Sequence, residues 1–340
     1  MPKPTVAVAV PAIKARGASR HWIAAAVIVA LGLVPVLSSL FGQPFYVTLV
    51  SRIMIFALAA VALNLILGYG ALVSLGHALY IGVGAYAVGI LSFHGITNGF
   101  VHVAVALGAG LVIAFLTGLV CLRASGVGFI MITLAFAQMF YFLAMSLKQY
   151  GGDDGYSLPT RSDFGALNLA NSTVLYYVIF STLVAVLFLF HRLVHARFGM
   201  VLRGCKSNER RMRALGFPTL TYKLIAYVIS ALVCVLAGIL LANLTRFVSP
   251  SYMHWTVSGD ILLMAVLGGV GTLIGPVVGA VAWLSLEEIL SSLNLGLPWG
   301  IDEFIRNHWM AALGLFVVVV TLTLKEGIYG YLVARDEGRR

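Results

Sequence analysis

Residues 196–217 read ARFGMVLRGCKSNERRMRALGF, and residues 221–243 close behind them read TYKLIAYVISALVCVLAGILLAN. The second stretch is long and apolar enough to cross a bilayer, since a helix needs about 20 such residues to span the hydrocarbon. The first is helix-competent but basic: it holds Arg197, Arg203, Lys206, Arg210, Arg211 and Arg213, with Arg192 just ahead and Glu209 the only acid. A charged island set between membrane-length runs is the pattern of a polytopic helical membrane protein, and the excess of Arg and Lys places the island on the cytoplasmic side.

The rest of the chain agrees. With 61% hydrophobic and 10% charged residues and a mean hydropathy of +1.00, it is too apolar for a soluble globule. Apolar windows lie near 22–41, 46–67, 74–93, 101–122, 127–147, 173–191, 221–243, 258–270, 273–292 and 309–325. They predict an all-α transmembrane bundle of about ten spans over 22–325, with tails at 1–21 and 326–340, an inner loop at 192–220 and an outer loop at 148–172. The basic N-terminal tail and its apolar run resemble a secretory signal, but the run is of spanning length with no small-x-small site after it, and it is read as the first span.

The net charge of +10 is a matter of topology rather than of nucleic acid, which is not an expected partner. With a cytoplasmic N-terminus and ten spans, the inner segments hold Lys3, Lys14, Arg16, Arg20, Arg123, the 192–223 group, Lys325, Arg335, Arg339 and Arg340. That is 17 of the 22 Lys and Arg, against Arg52, Lys148, Arg161, Arg246 and Arg306 outside or at the outer edge. Both termini are therefore expected in the cytoplasm. Cys121, Cys205 and Cys234 form no disulfide framework or metal cluster, and neither a metal nor a cofactor is expected.

The outer loop contains Gly151-Gly152-Asp153-Asp154-Gly155 and Leu158-Pro159, turn chemistry that folds it back on the surface. It is either a solvated connection or a contact for an external partner or the substrate path. Gly271, Gly275 and Gly279 recur every four residues around Pro276, which predicts close helix packing, and Ala78–Gly82 and Ala85–Gly89 repeat the spacing. Two glycine-rich polar segments, Leu67-Gly68-Tyr69-Gly70 leading to Ser74-Leu75-Gly76-His77 and Leu267-Gly268-Gly269-Val270-Gly271-Thr272, predict broken helices around a central path.

Polar groups in apolar spans are costly, so Asn64, Ser74, His77, Thr133, Gln138 and Asp260 are the candidates to line that path. For His77 the alternative is a cap on a helix break, and for Asp260 a shallow, hydrated position after the interfacial Trp255. Glu287 and Glu288 are expected near the outer interface. No phosphate loop, zinc motif or nucleophile turn occurs, so no catalytic residue is expected. Intramembrane carboxylates are also too few for a proton relay, and energy for transport would enter from outside the chain. On a helix, Val201 or Leu202, Cys205, Met212 and Leu215 share one side of the basic stretch with a cationic rim around them, and Gly216 and Pro218 end it.

From about residue 50 to 325 these features resemble the LivM-type permease subunits of bacterial importers for branched-chain amino acids. The resemblance is carried by Leu63-Asn64-Leu65 with Gly68-Tyr69, Ser74-Leu75-Gly76-His77-Ala78, Gly82-Val83-Gly84-Ala85-Tyr86 and Thr133-Leu134-Ala135-Phe136. It continues through Gly151–Gly155, Gly199–Gly216 with Asn208-Glu209 and Ala214-Leu215-Gly216, Phe247-Val248-Ser249-Pro250, and Asp260–Pro276. It implies half of a heterodimeric path in the bacterial inner membrane, with a second permease, two cytoplasmic ATPase subunits, a periplasmic substrate-binding protein and membrane lipid as partners. It also implies that Arg203, Lys206, Asn208, Glu209, Arg210, Arg211, Ala214, Leu215 and Gly216 form the helix that couples to the ATPase. Ala71-Leu72 stand where Gly-Gln is common, and Lys325-Glu326-Gly327 where Pro-x-Gly is usual. Relatives of the same framework carry urea, short amides or aromatic acids, so these cargoes stay open. An ion-coupled transporter and a structural membrane subunit are the competing classes.

Overall fold

Apolar runs without ionisable residues have to satisfy their backbone internally, and helices do so. A computed structural model describes residues 18–43, 45–165, 169–292, 309–323 and 327–331. Its long helices are α1 Ala18–Phe41, α2 Phe45–Gly70, α3 His77–Phe93, α4 Gly99–Cys121, α5 Val127–Ser146 and α6 Ser172–His195. They continue as α7 Arg197–Ala214, α8 Thr219–Thr245, α9 Trp255–Gly268, α10 Gly275–Ser292 and α11 Trp309–Thr323. By length and composition α2, α4, α5, α6 and α8 can each cross a membrane, and α3, α9 and parts of α1 and α11 are shorter apolar helices. The expected Lys325 turn and the 326–340 tail fall largely outside the described residues, as does Arg306.

Helix α2 is apolar on every face and sits at the centre, 78% buried over its most apolar window, with α8 beside it at 67%. Helices α4 and α5, at 28% and 22%, present most of their apolar surface outward. Small residues set the closest approach at the centre. A Cβ on Gly84 would lie 2.2 Å from the Val235 carbonyl oxygen and one on Gly238 would lie 2.0 Å from that of Ile81, so α3 and α8 meet backbone to backbone.

The expected packing of Gly275 and Gly279 is found between α9 and α10, where a Cβ on Gly279 would come within 1.9 Å of the Met264 carbonyl oxygen. Gly271 does a different job from the one its spacing suggested. It lies in the turn before α10 at φ 81°, and its N–H donates to Asn64 Oδ1 at 2.9 Å. Likewise Gly82 admits the Met253 side chain and Gly89 faces Val248, so the Ala78–Gly89 spacing serves a loop rather than a helix.

Two segments between helices enter the interior. Residues 71–76 run non-helically from the end of α2 to His77, whose ring contacts Ser230 in α8. Ser230 lies 11 residues from the start of α8, about 16 Å at the helical rise, so α3 begins at depth. From the opposite end, a short strand Phe247–Val248 and a 3₁₀ turn Pro250–Met253 lead to α9, whose Ser258 Oγ accepts from the N–H of Ala78 at 2.9 Å. The second break expected at 267–272 is instead a tight turn between α9 and α10, beside the α7 end of α2. The second re-entrant segment precedes α9.

Candidate functional site

Helix α7 carries the basic island and is interrupted at Asn208, whose backbone is extended at φ −159° and ψ 99°. Its Oδ1 accepts from the Arg211 N–H at 3.0 Å, so Asn208 caps a second, separate turn of helix. The first part buries Val201, Leu202 and Cys205 against the bundle. The second part, 209–214, leaves Arg210, Arg211, Arg213 and Ala214 exposed. Leu215, expected on the apolar side, is 65% exposed, while Met212 folds back over Gly204. The single amphipathic helix read from the sequence is thus two short ones, and the second is an exposed basic knob.

Glu209 fastens that knob. Its Oε1 accepts from Arg213 at 2.6 Å and from the Thr219 hydroxyl at 3.1 Å, and its Oε2 accepts from Lys223 Nζ at 2.5 Å. Burial by itself would raise the carboxyl pKa. The bonds from Lys223 and Arg213 outweigh it and hold the group below its ordinary range, so the clamp is charged at neutral pH. Thr219 and Lys223 belong to the first turns of α8, so the knob is tied to that helix.

A second linkage runs inward. Lys206 Nζ donates to the Gly68 carbonyl at 2.7 Å near the end of α2, and one turn earlier Asn64 donates to the Thr272 carbonyl at 2.6 Å. With the Gly271 N–H on Asn64 Oδ1, α7, α2 and the α9–α10 turn form one contiguous polar connection. Thr272 Oγ1 in turn accepts from the Gly275 N–H at 3.1 Å and secures the start of α10. Arg203 reaches the Gly199 and Val194 carbonyls, and Gly216, at φ 86°, ends the knob.

The candidate path residues fall into two groups. Asn64, Ser74, His77 and Thr133 are each buried, at most 2% exposed, and bonded in place. His77 bridges Ser74 at 3.0 Å and Ser230 at 2.9 Å, Ser230 donates to the Ala62 carbonyl at 2.5 Å, and Thr133 Oγ1 accepts from the Leu75 N–H at 3.3 Å. Ser74, His77 and Thr133 lock the 71–76 segment, while Asn64 holds the α9–α10 turn. His77→Leu is expected to lower the thermal stability of the detergent-solubilised protein, costing about 2 kcal/mol because both serines lose a buried partner. Gln138 and Asp260 are only partly buried. Gln138 Nε2 is buried with no partner among the described residues, and Asp260 lies within electrostatic reach of Glu287 and of Arg52, which pairs with Glu287 at 3.7 Å.

Residues 45–322 match the sequence profile of the family described as branched-chain amino acid transport system / permease component. The chain belongs to this family. It is 29% identical over 277 residues to the high-affinity branched-chain amino acid transport system permease protein LivM of Salmonella typhimurium, covering 73% of this chain and 64% of that protein. It is 27% identical over 265 residues to LivM of Escherichia coli K12, covering 71% and 62%. To the permease protein LivH of the same strain it is 26% identical over 263 residues, covering 72% and 84%. The chain therefore spans a little under two thirds of the length of those two LivM relatives. No solved structure matches it significantly.

As a member of this permease family, the chain resembles two differently named permeases of one kind of transport system. Several of its fixing residues carry no sequence signal. Ser230 is a lone serine in an apolar run, and Ser258 lies in the short polar stretch Thr256–Asp260, where only Asp260 drew notice. The hydroxyls of Tyr80, Thr117 and Tyr227, joined at 2.8 Å, tie α3, α4 and α8. Only their contacts identify them.

Proposed function

We propose that this chain is the membrane-embedded subunit of an ATP-binding-cassette importer and forms half of a translocation path for branched-chain or related hydrophobic amino acids. In this reading ten helices span a bacterial inner membrane with both termini in the cytoplasm. A second permease completes the path, two cytoplasmic ATPase subunits drive it, and a periplasmic binding protein delivers cargo. The knob at 209–215 is the coupling element. The observation that carries the proposal is the geometry of α7: an exposed basic projection, joined by Glu209 to α8 and by Lys206 and Asn64 to α2 and the α9–α10 turn. Closure of the ATPase pair against the knob then pushes on α8 and α2 together and rocks the bundle as a rigid body.

His77 is buried with both ring nitrogens bonded, which favours this reading over proton coupling, since a proton relay needs titratable groups open to the path. The test is uptake of labelled leucine by cells holding the complete transporter. Uptake is expected to stop on ATP depletion and to survive collapse of the proton gradient; the reverse pattern overturns the proposal. Lys206→Met is expected to reduce uptake about fivefold or more with membrane insertion unchanged, since a charged hydrogen bond of about 1.5–3 kcal/mol joins the first part of α7, which carries the knob, to α2. Uptake and membrane-fraction immunoblots read both quantities.

A further inference from the structure

Opposite the α7 end, the loop before α6 folds over the end of α8 and is held there firmly. The Leu158 N–H donates to the Arg246 carbonyl at 2.9 Å and the Ser162 N–H to Asn243 Oδ1 at 2.8 Å. His102 Nε2 lies 2.7 Å from the Ile96 carbonyl, which can only accept. The facing Nδ1 lies 2.7 Å from the Ser162 hydroxyl. The Asp163 backbone pairs with Thr97 and Gly99. Between this loop and Arg246 lies a cavity of about 600 Å³, a volume within the range of small-molecule sites.

Arg161 and Arg246 both line it, with Thr160, Ser162, Asp163 and Ser172. Neither arginine has an ion pair among the described residues. Arg161 spends one terminal nitrogen on the Leu169 and Ala170 carbonyls, and its Nε–H is buried with no acceptor among the described residues. Burial, and then the charge of Arg246, lower its pKa from the ordinary arginine value. Arg246 stands in left-handed backbone at φ 52°, a conformation in which glycine or asparagine sits more easily. Two guanidinium groups and one carboxylate, that of Asp163, line one cavity, a net positive charge that an anion offsets, and guanidinium groups hold a carboxylate through paired charge-assisted hydrogen bonds. Asp163 lies in the same wall, with Oδ1 on the Gly165 N–H, and offers its other oxygen to a cation.

We propose that this pocket binds a free zwitterionic amino acid, its carboxylate on Arg161 and Arg246 and its ammonium on Asp163, as a receiving site at the mouth of the path. The inference rests on the amino-acid cargo proposed above. The test is binding of labelled L-leucine to the purified full chain in lipid nanodiscs, with L-leucinamide, which lacks the carboxylate, as the comparison ligand. Leucinamide is expected to bind about tenfold more weakly or worse. Arg246→Asn, which suits the left-handed backbone, is expected to weaken leucine binding about tenfold, and Arg246→Lys by about threefold or less. Arg161→Gln is expected to weaken it as well, but it also frees two loop carbonyls, so Arg246 decides.

Equal binding of the two ligands, absence of saturable leucine binding, or an unaffected Arg246→Asn overturns the site. So does an Arg246→Asn variant that keeps leucine binding and loses only capture of the soluble binding protein, which makes the pair a docking contact. ATP-dependent leucine uptake by the assembled transporter, measured in parallel, separates the two proposals: if uptake persists while binding fails, only the pocket is lost.

Discussion

Glu209→Ala is expected to lower ATP-driven uptake by about tenfold or more while the protein still inserts and still meets its ATPase. One carboxylate accepts from Arg213, Thr219 and Lys223, and bonds to charged groups contribute about 1.5–3 kcal/mol each. The Lys223 side chain is only 14% exposed, so the variant leaves a poorly hydrated ammonium without its counter-charge. The knob then swings free of α8, and a push on it no longer reaches the bundle. Glu209→Gln, which keeps the shape and loses the charge, is expected to fall between. ATPase rate and uptake measured on one preparation identify uncoupling by a retained rate with lost transport. The pH dependence follows from the same pair. The folded carboxyl has a depressed pKa, so its contribution is complete above the unfolded carboxylate range and is lost as pH falls through the folded value, well below neutrality.

Gly238→Val is expected to cause the largest loss of stability, about 3 kcal/mol or more, because its added carbons have nowhere to go. The first of them would stand 2.0 Å from the Ile81 carbonyl oxygen and 2.8 Å from its carbon, both backbone atoms of α3 that no rotamer change can move. Gly84 makes the reciprocal contact, so α3 and α8 would have to separate along their length, and the His77–Ser230 bond would open with them. Gly108→Ala is the control. Nothing lies within 4 Å of a Cβ there, and alanine in place of a helical glycine is expected to leave stability unchanged or raise it slightly. Size-exclusion profiles and thermal melts of the two variants in detergent make the comparison.

The helices were legible because hydropathy windows report directly on what must avoid water, and each expected window overlaps a helix. The break at 71–76 was legible too, since glycine, serine and histidine inside an apolar run have few other uses. The break before α9 was not: Phe247–Pro250 reads as an ordinary surface link, and only the Met253–Gly82 and Ala78–Ser258 contacts carry it inward. Asn208 gave no sign of interrupting α7, because a polar residue on an exposed helix is unremarkable until its side chain is found on the Arg211 N–H. Asn64 and His77 were found for their polarity, while their bonded, buried setting depends on Thr272, Ser74 and Ser230, two of them far away in the chain. The Arg161–Arg246 cavity was hidden for the same reason, since its two cations come from a loop and a helix end that only the fold brings together.

The most direct test of force entry through the 209–215 knob is cross-linking from Leu215→Cys in the assembled transporter. The native Cys121, Cys205 and Cys234 are all buried, so a thiol reagent reads the introduced site against a low background. The expected result is a cross-link from residue 215 to an ATPase subunit whose yield changes with bound nucleotide. Labelling of that cysteine from outside intact cells by a reagent that cannot cross the membrane, with no cross-link to the ATPase, contradicts it.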